Sequence, residues 1–193
     1  MSTDSAQQDI GSDGYPLALL GSVGSDVYIH KIVEIRYPSS ISIGSHVAID
    51  FGFVITTGAS IGDYIHIGPH VSAIGGAKAF LELESLCSVA AGVRFICLGD
   101  EHLGKGIVGA LIPKRYQDHR VGGKIVVEKF AALGTNAVVM PGLVVREGSV
   151  VGANSLLREN TEPWTIYAGS PAKPIGKRPK ETISGYAKEL GYS

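Results

Sequence analysis

One stretch of this sequence concentrates side chains that could move a proton or hold an anion. Between Ile96 and Ile125 run Asp100, Glu101, His102, Lys105, Lys114, Arg115, Tyr116, Asp118, His119 and Arg120. Imidazole titrates nearest neutrality, so a histidine flanked by carboxylates has the makings of a general base with a partner to orient it. His102, with Asp100 and Glu101 beside it, fits that description. The stretch is about thirty residues long, a length that in a compact domain marks either a functional loop or a disordered one. Its charge density, set in an apolar chain, favours function. Cys87 and Cys97 lack metal-ligand or disulfide-framework spacing and read as inert buried thiols.

The remainder of the chain must supply a frame for this loop. Its 193 residues are enough for one domain, with 45% hydrophobic residues, 18% charged and 26 glycines, a balance that favours stacked β structure over helices. Lysine and arginine number 17 against 18 acidic residues, so no global positive field exists to hold a nucleic acid or an anionic membrane. No apolar run approaches the roughly 20 residues of a membrane helix, and Met1 to Gly14 lacks the basic and apolar blocks of a signal peptide. A cytoplasmic location is the expectation.

A six-residue period identifies the frame. Ile43, Ile49, Ile55, Ile61 and Ile67 are evenly spaced, as are Val127, Leu133, Val139, Val145, Val151 and Leu157, with Leu83, Val89 and Phe95 between them. Six matches neither an α-helix nor one long strand, but it matches a short strand plus a turn forming one side of a prism. Three sides make a coil of 18 residues, and at that offset Leu133-Gly134-Thr135-Asn136 overlies Val151-Gly152-Ala153-Asn154. Turns between sides demand left-handed backbone that Gly, Asn and Asp reach most cheaply, so Asn136 and Asn154 are read as structural. The expected architecture is all-β: a left-handed parallel β-helix over residues 15–180, with prism coils from about Val23 to Leu157. A flexible tail (residues 1–14) precedes it, and a C-terminal helix lies within residues 181–193. Ala73 to Leu81 adds a few residues to one coil, and Ile96 to Ile125 forms the long inserted loop. A triangular prism with flat faces suits a homotrimer.

These repeats, together with Val139-Met140-Pro141-Gly142 and Ala168-Gly169-Ser170-Pro171-Ala172-Lys173, resemble the hexapeptide-repeat acyltransferases over about Ile41 to Lys180. The nearest likeness is to the galactoside, maltose and lipopolysaccharide-sugar O-acetyltransferases. The resemblance implies acetyl-CoA as cosubstrate, bound in a groove between subunits without metal. Thr135 and Ala153 match the small residues beside the pantetheine chain, and Lys173 matches a basic position near the nucleotide end. Arg158, Lys177 and Arg178 are nearby candidates for the phosphates. Aligned without gaps, the family's catalytic histidine falls on Asp100, with His102 two residues later. His102 is the expected base for a hydroxyl acceptor. Asp100 or Glu101 would orient it, or act alone on an amine. His70 and Lys78 take the family's acceptor-binding slots, and their cationic character suits a nucleotide-linked or otherwise anionic sugar. O-acetylation of such a sugar in surface polysaccharide or lipopolysaccharide biosynthesis is the leading expectation, and N-acetylation of a nucleotide-linked amino sugar is the alternative.

Two rival readings share the prism. A γ-class carbonic anhydrase would need three zinc-binding histidines. On an 18-residue coil His46 sits above Tyr64, His66 above Glu84 and His70 above Ser88, so no histidine column forms. A non-catalytic hexapeptide-repeat scaffold would retain the prism, but the charged loop and the Pro-Ala-Lys ending speak against it.

Overall fold

The computed structural model describes residues 14–192. Apart from Gly14, the expected tail lies outside them. Gly14 itself bridges His30, and the Tyr15 amide donates to the Ile29 carbonyl. From there the chain winds a left-handed parallel β-helix of about seven coils. Three parallel sheets form the sides, of six, eight and six strands, the eighth strand of the second sheet being antiparallel. One α-helix, Glu181–Glu189, follows the prism.

The six-residue period marks the inward positions. Ile55, Val127, Val139, Val145 and Val151 are fully buried, and Ile43, Ile49, Ile61, Ile67 and Leu133 nearly so. Each such side chain contributes roughly 1.5–3 kcal/mol through burial. Stacking also lets each strand hydrogen-bond to the coils above and below, as in Ile43 opposite Ile61 and Val126 opposite Val144.

Both departures from the period appear in the register. Phe80 lies opposite Gly58, so the coil carrying Gly75–Ala79 is longer than its neighbours. This insert folds back on the prism: Thr57 donates to the Ala79 carbonyl, and the Gly75 amide donates to Thr56 Oγ1 at 3.0 Å. The longer coil corrects the simple 18-residue stacking. Val89 pairs with Ile67, which places Ser88, rather than Glu84, alongside His66. His46 does stack on Tyr64, with ring centroids 4.4 Å apart. Among the described residues no three His, Cys, Asp or Glu side chains come together as a metal site.

The corners hold a second surprise. Asn136 and Asn154 are left-handed (φ 58° and 55°), but so are His46, Tyr64, Leu86, Phe130 and Trp164 (φ 53–65°). A bulky left-handed residue costs roughly 1–2 kcal/mol, a cost offset here by outward stacking and coil closure. Phe130 lies 6.0 Å from Trp164, whose ring occupies the space a Cβ on left-handed Gly148 would need. Glycine at that level leaves the indole its place.

Candidate active site

The charged stretch is built rather than irregular. Leu98–Asp100 pairs antiparallel with Arg120–Gly122, making a two-stranded arm that leaves the prism after Ile96 and rejoins it at Ile125. Its root is tight, since Gly122 packs so closely on Leu98 that any Cβ would collide with that side chain. Gly123 then donates its amide to the Cys97 carbonyl at 3.0 Å. Beyond the paired strands a short turn at Lys114–Tyr116 is bound by the Gln117 side chain, whose Nε2 donates to the Ile112 carbonyl at 2.6 Å.

Strand alternation separates the candidate proton carriers. Asp100, half-buried at the end of its strand, meets Arg120 Nε at 3.5 Å. Glu101 is turned to Lys105 Nζ at 2.8 Å and lies 3.9 Å from His119 Nδ1. His102 is exposed and left-handed (φ 58°), and its backbone amide donates to Asp118 Oδ2 at 3.0 Å. Among the described residues neither Asp100 nor Glu101 hydrogen-bonds the His102 ring; their partners are Arg120, Lys105 and His119.

The two acceptor-slot residues lie on separate features. His70 is an exposed left-handed corner residue packed edge-on to Phe51 at 4.6 Å. Lys78 sits exposed on the Gly75–Ala79 insert. Arg94, which sequence reasoning missed, donates to the His70 carbonyl at 2.5 Å and approaches Ser72 Oγ at 3.3 Å. A lone outward arginine in a periodic strand carries no signal until neighbouring coils are stacked.

Thr135 and Ala153 stack as expected, the Asn154 amide donating to the Thr135 carbonyl at 2.8 Å. Both are exposed, and Gly134 allows the coils to close to within van der Waals contact. Arg158 and Lys173 line one shallow pocket with Glu159, Pro171 and Ala172. Lys177 and Arg178 are engaged with the protein. Lys177 donates to Thr165 Oγ1 at 2.8 Å, while Arg178 donates to the Phe130 and Gly148 carbonyls at 2.7 and 3.0 Å. Burial lowers the Arg178 pKa. The buried thiols are pushed up to about 12 by desolvation, so neither is a nucleophile near neutral pH.

Thr135 and Asn136 lead into the start of the Val138–Val139 strand, which pairs with Arg94–Ile96; the arm leaves from the far end of that neighbouring strand. Within one chain, the small-residue track and the arm therefore mark opposite edges of one prism face.

Comparison with known proteins agrees with this anatomy. No family model matches the chain. It is 30% identical over 165 residues to the dTDP-4-amino-4,6-dideoxy-D-glucose acyltransferase of Escherichia coli, covering 84% of each protein. Its fold superposes on that of an Asp-to-Asn mutant of AntD, an N-acyltransferase from Bacillus cereus, solved with dTDP and coenzyme A. The TM-score is 0.86 at 27% identity, covering 93% of this chain and 98% of that one. A variant of AntD solved with dTDP-4-amino-4,6-dideoxyglucose and coenzyme A superposes at a TM-score of 0.84, 29% identity and coverage of 89% and 91%. A shorter match, 43% identical over 58 residues and 30% of each chain, is to an Escherichia coli protein, WbbJ, whose name assigns it to lipopolysaccharide O-acetyl transfer.

With its parallel β-helix and these relatives, the chain is an acyl-coenzyme A-dependent acyltransferase. The chain belongs to the hexapeptide-repeat acyltransferases.

Proposed function

We propose that this enzyme transfers an acyl group, acetyl in the simplest case, from its coenzyme A thioester to the amino group of a nucleotide-linked amino sugar. The observation that carries the reading is near full-length similarity to two acyltransferases of that kind, combined with a carboxylate, Asp100, at the root of the arm. A sugar amine has a lone pair in its neutral form and needs only a base to take the proton it sheds as the C–N bond forms. Asp100, half-buried and 3.5 Å from Arg120 Nε, is held at the arm root to do this. The C–S bond then breaks, and coenzyme A leaves as the thiol once it regains a proton. No group on the protein is acylated in this scheme.

Thr135 and Ala153 offer the pantetheine chain a track without bulky side chains, while Arg158 and Lys173 meet the phosphates at its nucleotide end. Lys78 contributes positive charge, and His70 a hydrogen-bonding ring, toward the acceptor's diphosphate. Because arm and track lie at opposite edges of one face, a complete site requires the arm of one chain beside the track of another. A homotrimer with three shared sites, working in the cytoplasm, follows from this reading.

A second reading, O-acetylation with His102 as base, draws on the short match to WbbJ. The two separate in one assay, with purified protein, acetyl-CoA and matched pairs of dTDP-linked 4-amino and 4-hydroxy sugars. Thiol release and a mass gain on the amino member are expected. Turnover confined to the hydroxy member would replace the first reading with the second.

A further inference from the structure

Asp118 is the one carboxylate that is buried among the described residues, 4% exposed, and it lies in the arm rather than in the prism. Of its neighbours in sequence, Gln117 is half-buried and His119 exposed. Removing a carboxylate from water is costly unless hydrogen bonds replace the hydration, and here both oxygens are used. Oδ2 accepts the His102 amide at 3.0 Å, and Oδ1 accepts the His119 amide at 2.8 Å. One side chain thereby joins the outgoing limb of the arm to the returning limb. The backbone adds two further ties at the same level, Glu101 N–H to the His119 carbonyl at 2.7 Å and Asp118 N–H to the Ile107 carbonyl at 3.1 Å. Gly106 presses on Gln117 and Asp118 so closely that a Cβ there would lie about 2.5 Å from the backbone.

The position of this knot matters more than its strength. It begins one residue past Asp100 and ends one residue before Arg120, the pair that closes the arm's strands. His102, left-handed without being glycine, is held in that conformation by the bond its amide makes to Asp118. Loosening the knot frees the carboxylate of Asp100 to move relative to the prism, while the coils carrying Thr135 and Ala153 remain stacked.

We propose that Asp118 is a positioning residue for acyl transfer: its buried carboxylate, through the His102 and His119 amides, holds the arm so that Asp100 faces the acceptor. The proposal rests on the reading of Asp100 as base, and its test separates the two. Asp118→Ala and the milder Asp118→Asn would be compared with the unaltered enzyme by amide hydrogen exchange, melting temperature, acetyl-CoA affinity and steady-state kinetics on the amino-sugar acceptor. In Asp118→Ala, exchange should quicken at His102 and His119 but not in the coils. The kcat should fall on the order of 10- to 100-fold, as misplacement of a reacting group by about 1 Å does. Acetyl-CoA affinity, the melting temperature and the pH midpoint of kcat/KM should hold. Asp118→Asn, keeping one acceptor oxygen, should recover part of kcat. Unchanged exchange at both amides overturns the proposal, as does faster exchange with kcat within twofold of the unaltered enzyme. Loss of acetyl-CoA binding or of the whole fold in both variants, or a shifted pH midpoint, overturns it as well. If Asp100→Asn, made in parallel, retains full activity, the base assignment falls while the exchange data still decide whether Asp118 clamps the arm.

Discussion

Asp100 and His102 are two residues apart, yet the arm gives them different surroundings. Asp100 is half-buried and paired with Arg120, whereas His102 is exposed at a left-handed turn. General-base assistance is worth roughly 10² to 10⁴ in rate, so the two candidates separate cleanly by substitution. On an amino-sugar acceptor, Asp100→Asn should lower kcat by about that factor with little change in acetyl-CoA binding, and His102→Ala should cost under about tenfold. A hydroxyl acceptor would reverse the order. Steady-state kinetics of both variants on both acceptors is the measurement.

The C-terminal helix illustrates how an element is fastened to the prism. Beyond Glu181–Glu189, Tyr192 Oη donates to Asp63 Oδ2 at 2.9 Å, and its ring stands edge-on to Tyr64 at 5.8 Å. Asp63 also accepts the Ser45 amide at 2.7 Å, and that bond first, then Tyr192, lowers its pKa below 3.8. A carboxylate depressed in the folded state stabilises at pH above its unfolded value and loses that contribution as pH falls through the folded one. Acidification below about pH 4 should therefore loosen the helix before the coils. Tyr192→Phe should produce the same loosening at neutral pH. Hydrogen exchange across residues 181–192, compared with that of the coil strands, is the check. Equal protection in the variant and the unaltered protein would remove Tyr192 from the fastening.

At the scale of the molecule, successive coils stack buried apolar residues, nearly all aliphatic, along each side of the prism. Ile55→Ala, at a fully buried position, should cost about 2–5 kcal/mol of stability by leaving a cavity, measurable by denaturant unfolding. The separation of arm and track argues for a site shared between chains. Light scattering should report three chains per particle. Ala153→Trp should abolish acetyl-CoA binding measured by calorimetry while leaving that particle intact, because the indole would fill the track beside Thr135. A monomer that turns over acceptor at micromolar concentration would dismiss the shared site.

Much of this architecture could be read from spacing alone. A repeated aliphatic every six residues has only one economical burial, the inside of a stacked prism, so the coils, the inward residues and the superposition of Thr135 on Ala153 followed without coordinates. The C-terminal helix was likewise legible in residues 181–190. What spacing could not show was decided by contacts between residues far apart in the chain. The bulky left-handed corners at His46, Tyr64 and Trp164 contradict local backbone preference and are held by stacking across coils. The register error at His66 came from an insert whose length changes which residues meet. The direction of Asp100 away from Glu101, the sealing of Asp118 and the capture of Arg178 by two carbonyls arise only when the limbs of the arm or successive coils close on each other. Periodicity expresses burial, which each residue carries in its own chemistry. Partner choice among polar groups depends on geometry, and only the folded chain supplies it.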